Sequence, residues 1–127
     1  MNSVTVLPVE NAEQEFLGKH LIAEFLGAEN ISDPLSVEEA LISAARKSGA
    51  TILNSDIHDF GDGMGVTGVV MLAESHISIH TWPEISYAAL DVFVCGNHTD
   101  PYLAIKSMED DFSPEQVQIT EHRRGAK

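Results

Sequence analysis

Residues 72 to 84 read LAESHISIHTWPE, a run in which Glu74, Ser75, His76, His80 and Glu84 could take part in three kinds of chemistry. The first is metal binding. The alternation of Ile77 and Ile79 with polar residues makes this a strand, and at about 3.3 Å per residue His76 and His80 would stand roughly 13 Å apart, too far to share an ion. The second is hydrolysis by a serine nucleophile with a histidine base. That requires glycines around the serine at a sharp strand-to-helix turn, whereas Ser75 lies between Glu74 and His76 in β-like sequence. The third is attack of the serine on its own backbone. Ser75 and His80 are five residues apart and point to opposite faces of a regular strand, so they can meet only if the chain bends near Glu74-Ser75. A bent, strained peptide is where the Ser75 hydroxyl could add to the Glu74 carbonyl in an N-to-O acyl shift, helped by proximity rather than by an unusual nucleophile. The plain alternatives are an ordinary strand hydroxyl for Ser75 and a hydrogen-bonded structural histidine for His80.

The elements that must hold this run follow from periodicity and punctuation. Residues 1–16 are polar with Pro8 and are expected to be a flexible arm, leaving 17–127 as one domain. Residues 19–28 are β-like. Residues 30–50 carry Val37, Ala40, Leu41, Ala44 and Ala45 at helical spacing, with a capping box expected at Ser36 and Glu39 and Gly49 as a stop. Strands are expected over 50–60, 66–74, 76–82 and 86–95, with GDGMG (61–65) as a turn. Asp100-Pro101 then opens a helix to about Asp110, and 115–122 is a last strand. The predicted order is β-α-β-β-β-β-α-β. Short turns between successive strands imply an α+β two-layer sandwich, a mostly antiparallel sheet with two helices on one face. The runs GVVMLA and YAALDVFV offer more apolar surface than two short helices hide, so a homodimer is expected.

Composition narrows the partners. The 127 residues carry 20 acidic and 7 basic groups, a formal net charge of -13 that repels phosphate backbones and anionic lipids. No nucleic acid and no membrane partner is expected, and a small cation would be welcome. Cys95 is the single cysteine and cannot close an internal disulfide, which fits a reducing cytosol. The start has no basic and then apolar leader, and no segment approaches the roughly 18 apolar residues of a membrane span, so a cytoplasmic protein is expected.

The block ESHISIHTWPE, followed by YAALDVFVCG and preceded by GKHLIAEF, SGATI, H-D-F and TGVV, resembles the prokaryotic pyruvoyl-dependent S-adenosylmethionine decarboxylase family from about Gly18 to Arg124. The resemblance implies self-cleavage between Glu74 and Ser75 into chains 1–74 and 75–127. Ser75 would form an ester with Glu74, elimination would release the first chain, and hydrolysis would leave a pyruvoyl group at residue 75. That ketone would form a Schiff base with S-adenosylmethionine and accept the electrons left by carbon dioxide, the electron-sink role otherwise filled by pyridoxal phosphate. Neither a metal nor pyridoxal phosphate is implied. The decarboxylated product would feed spermidine synthesis.

By the same resemblance, His80 is the processing histidine, suited to proton removal near neutral pH. Cys95 is the proton donor to the substrate α-carbon, Phe60 stacks on adenine, and Glu84 accepts bonds from ribose hydroxyls. Core packing is the alternative for Phe60, and Trp82 is assigned to packing. Thr67 stands where the family often has a serine that assists processing; it keeps the hydroxyl but stiffens χ1. The GDGMG loop is one residue longer and richer in glycine than the family's usual loop. Relatives of this fold with the same chemistry act on arginine or ornithine, which is the alternative substrate class. A non-catalytic interaction domain is the third reading.

Overall fold

Two helices begin the same way in this protein, and both starts are written in the sequence as Asp-Pro. The structure, a computed structural model, describes residues 3–7 and 15–125. Helix α1 spans Pro34–Lys47 and α2 spans Pro101–Phe112. Asp33 and Asp100 are the N-caps: Asp33 accepts from the Ser36 N–H at 3.0 Å, and Asp100 from the Tyr102 N–H at 3.0 Å. Proline follows each cap at the first helical position, where its missing N–H costs no bond. The capping box expected at Ser36 and Glu39 is therefore displaced by one turn. Ser36 lies inside the helix, and its hydroxyl donates to Asp33 at 2.7 Å.

Seven strands form one sheet: β1 (Ser3–Val6), β2 (Gly18–Leu26), β3 (Ile52–Asp59), β4 (Val66–Leu72), β5 (Ser75–Trp82), β6 (Tyr87–Cys95) and β7 (Gln116–Arg124). Their spatial order is β1-β7-β2-β6-β5-β4-β3. From β2 onward the expected succession of strands and helices holds, and every pairing among these strands is antiparallel. Residues 3–6 depart from the expected flexible arm, because β1 pairs in parallel with β7, Val4 opposite Val117. Its side chains are exposed and backbone pairing is what holds it, a contact that hydrophobic patterning does not announce. Of the rest of the expected arm, residues 1–2 and 8–14 lie outside the described residues.

Period-two alternation decides which face each strand residue takes. Leu21, Ala23 and Phe25 of β2, Leu90 and Val92 of β6, Ile77 and Ile79 of β5, and Val66 and Val70 of β4 are buried against Val37, Leu41, Ala44, Ile105 and Met108 of the two helices. Each large apolar side chain removed from water in this layer contributes about 1.5–3 kcal/mol before entropy is counted. Among the described residues, no helix covers the other face. Val69, Met71, Ala89 and Phe93 lie on it, as the apolar runs led one to expect. The alternate positions also place His20, His76, His80 and His122 there, so this face is mixed rather than apolar.

Candidate active site

The β4–β5 hairpin turns through only Ala73 and Glu74, with Leu72 opposite Ser75. Two-residue hairpin turns match strand twist best when their central residues take positive φ. Ala73 and Glu74 do not; the positive φ falls on Ser75 instead, at +135°, a value that side-chain-bearing residues rarely adopt. The bend expected at Glu74-Ser75 is thus present. The Glu74 carbonyl accepts from the Cys95 N–H at 3.0 Å, which places the end of β6 against the Glu74-Ser75 peptide. Cys95 also borders a cavity of about 790 Å³ with Gly18, Lys19, Asn97, Asp100 and Tyr102.

Glu74 is buried at 7% exposure, and its carboxylate is fully engaged. Oε1 accepts from the Thr51 N–H at 2.8 Å, and Oε2 accepts from the Thr51 hydroxyl at 3.1 Å and pairs with His98 Nε2 at 2.8 Å. The Thr51 backbone N–H first, and His98 next, hold this carboxyl below the usual glutamate range. Neither Thr51 nor His98 was singled out in the sequence. They stand far from Glu74 along the chain, and no motif or period links them.

The second group lies at the far end of β5. Phe60, Met64, Thr67, His80, Trp82 and Glu84 surround a cavity of about 480 Å³. Thr67 Oγ1 and His80 Nδ1 are 3.1 Å apart, directly across the β4–β5 ladder. Phe60 is 59% exposed, which removes core packing as its explanation, and its ring meets His58 edge-on at 4.6 Å. Trp82, assigned to packing from sequence, is instead 43% exposed and stacks on Tyr87 at 5.3 Å while lining this cavity. Glu84 follows Pro83 in a short 3-10 turn, Pro83–Ile85, that carries it to the rim. The GDGMG loop closes the other side. Gly65 takes φ +105°, and a Cβ there would stand 2.2 Å from the Thr81 carbonyl oxygen, so only glycine fits.

The sequence-predicted residues therefore fall into two groups. Glu74, Ser75 and Cys95 meet at one end of β5; Phe60, Thr67, His80 and Glu84 meet at the other. Past the positive φ of Ser75, β5 runs as a continuous ladder to Trp82, so Ser75 and His80 are separated by roughly 16 Å of strand at about 3.3 Å per residue. The bend at Glu74-Ser75 does not bring His80 to Ser75 within one chain. It lies at the first residue of the strand rather than between Ser75 and His80.

Comparison with known proteins gives one consistent result. A family profile described as "S-adenosylmethionine decarboxylase" matches residues 19–125. The S-adenosylmethionine decarboxylase proenzyme of Methanococcus maripaludis strain C5 is 45% identical over 111 residues, covering 86% of this chain and 90% of that protein. The proenzyme of the same name from Thermomicrobium roseum is 42% identical over 109 residues, covering 86% and 94%. Among solved structures, the adenosylmethionine decarboxylase from Aquifex aeolicus VF5 superposes with a TM-score of 0.81 at 35% identity, covering 87% of this chain and 92% of that one.

Proposed function

The chain belongs to the S-adenosylmethionine decarboxylase family, and from that premise we propose that it is a carboxy-lyase that cuts itself between Glu74 and Ser75 and decarboxylates S-adenosylmethionine. The observation that carries the cut is the Ser75 φ of +135° beside a Glu74 carbonyl that accepts the Cys95 N–H. A carbonyl already polarised by a backbone donor is prepared for the negative charge that develops when the Ser75 hydroxyl adds to it. The C–N bond then breaks and an ester joins the two residues. Loss of the Ser75 α-proton expels the Glu74 carboxylate, and water replaces nitrogen at residue 75 with release of ammonia. The resulting pyruvoyl group supplies an electron sink for the carbon-dioxide-losing step.

The residues divide the work. His80 takes the α-proton in the elimination. In the tautomer whose Nδ1–H donates to the Thr67 oxygen, Nε2 keeps the lone pair that a base requires. Cys95 returns a proton to the substrate α-carbon after carbon dioxide leaves. Phe60 offers an exposed ring to adenine, and Glu84 accepts from ribose hydroxyls. A short diamino acid such as arginine or ornithine would leave the aromatic walls of Phe60 and Trp82 unused, which favours the nucleoside-bearing substrate.

The working unit in this proposal is a cytosolic homodimer. Strand geometry separates Ser75 from His80, so one copy holds two incomplete half-sites. Packing the open, mixed sheet faces of two copies about a two-fold axis would bring the Ser75 end of each copy to the His80 end of the other. In this proposal residues 17–127 form the decarboxylase domain.

The test is intact-mass analysis under denaturing conditions, after incubation with borohydride and, separately, S-adenosylmethionine, arginine or ornithine. The expected result is two chains, 1–74 and 75–127, with substrate-derived mass added to the second by S-adenosylmethionine alone. Added mass from arginine or ornithine alone would transfer the activity to that substrate class. One uncut chain in every tube would overturn the self-cleavage reading.

A further inference from the structure

The grip on the Glu74 side chain plays no part in the steps above, yet it is built from both sides. Thr51 comes from the α1–β3 connection and His98 from the β6–α2 connection. Each is itself tied down. The Ala73 N–H donates to the Thr51 carbonyl at 2.9 Å, so Thr51 holds both residues of the turn. The Asp100 N–H donates to the Ser48 carbonyl at 2.9 Å, and the Thr99 hydroxyl to the Cys95 carbonyl at 3.0 Å.

Two glycines admit the histidine. A Cβ on Gly49 would stand 2.5 Å from the His98 carbonyl oxygen. A Cβ on Gly96, at φ +94°, would press on the His98 ring at 3.0 and 3.2 Å. The His98 side chain is 61% exposed, so core burial does not place it; the loop anchors and the Glu74 bond do. Backbone strain persists only where its surroundings over-determine it. Here the strained residue, Ser75, directly follows the one whose carbonyl and carboxylate are both held.

We infer that Thr51 and His98 clamp the Glu74 carboxylate so as to hold the Glu74-Ser75 peptide in its strained form, which makes His98 a positioning residue for self-cleavage. The inference rests on the self-cleavage reading. It assigns His98 no contact with substrate and no proton transfer; its Nε2–H is a donor that fixes where the scissile bond sits. A donor of similar reach should therefore replace it, and a side chain of similar bulk without a donor should not.

The experiment follows cleavage of freshly synthesised full-length chain by intact mass over time, for the wild type, His98→Leu, His98→Gln and Thr51→Val. His98→Leu is expected to slow cleavage on the order of tenfold, from loss of a hydrogen bond to a charged group. His98→Gln should recover most of that rate. Thr51→Val keeps the backbone N–H and loses the hydroxyl, and should slow cleavage less than His98→Leu. His98→Leu cleaving as fast as wild type overturns the clamp. His98→Leu and His98→Gln equally slow also overturns it, since the ring rather than its bond would then matter. A wild-type chain that never cuts removes the self-cleavage reading first and the clamp with it, a result distinct from either of the others.

Discussion

The two ends of β5 are built by opposite means. At the Ser75 end the backbone is strained, and the Glu74 carbonyl and carboxylate are both held. At the His80 end the strand is regular, and Phe60, Trp82 and His80 stand out into solvent around a cavity. The first arrangement suits chemistry on the chain itself, because it restrains a peptide bond. The second suits recognition of something that arrives from outside. The comparison teaches that a single strand can carry both tasks by keeping them about 16 Å apart, at about 3.3 Å per residue; in the proposed dimer a second copy reunites them.

The most forceful way to break that comparison is to separate the ends genetically. Ser75→Ala should leave one uncut chain, and His80→Ala should slow cutting by on the order of 10²- to 10⁴-fold, the usual range for a lost acid–base group. Refolded together, the two variants should cut again, and only the His80→Ala chain should be cut. A mixed dimer would join its intact Ser75 to the intact His80 of the other chain. A mixture that stays uncut, read by intact mass, would place both residues in one copy's site.

Phe60→Ala sharpens the comparison at the recognition end. Loss of an aromatic stacking surface should lower kcat/KM for S-adenosylmethionine by about 5- to 100-fold, while the chain still cuts to completion. Steady-state carbon dioxide release measures it, and a nearly unchanged value would support arginine or ornithine instead. The smallest effect belongs to the Glu74 carboxyl. Its folded pKa is depressed, so the stability it contributes is fully present above the ordinary glutamate value of 4.5 and is lost as pH falls through the lower folded value. The urea midpoint of the uncut Ser75→Ala chain should therefore drop more steeply below pH 4.5 than that of Ser75→Ala carrying Glu74→Gln as well. Parallel curves would mean that the hydrogen bonds to Glu74 contribute nothing to stability.

Much of this was legible in the chain before folding. Apolar periodicity located α1, the Asp-Pro cap located α2, and β-like runs located β2 through β7; the odd spacing of Ser75 and His80 pointed to a bend, which is present but does not bring the two together within one chain. The Asp100-Pro101 start was recognised, while the identical signal at Asp33-Pro34 was passed over for a capping box one turn later. Strand β1 escaped because its four residues, SVTV, bury neither face, and only the parallel register with β7 defines it. His98 and Thr51 escaped for a different reason. Their partner is 24 and 23 residues away, and contacts between loops leave no period in a sequence. Trp82 was misplaced because an aromatic beside a proline reads the same whether it fills a core or lines a rim.

The strand order carries a last consequence. If the chain is cut between Glu74 and Ser75, the first product owns β1 to β4 with α1, and the second owns β5 to β7 with α2. Across the sheet, the pairs β1–β7, β7–β2, β2–β6 and β4–β5 would then each join one product to the other. The halves are interleaved like two shuffled hands of cards, and neither can leave without dismantling the sheet. Before the cut, folding is the collapse of one chain at a rate independent of concentration. After it, any unfolded molecule must find its other half by diffusion, so refolding becomes an assembly whose yield falls on dilution.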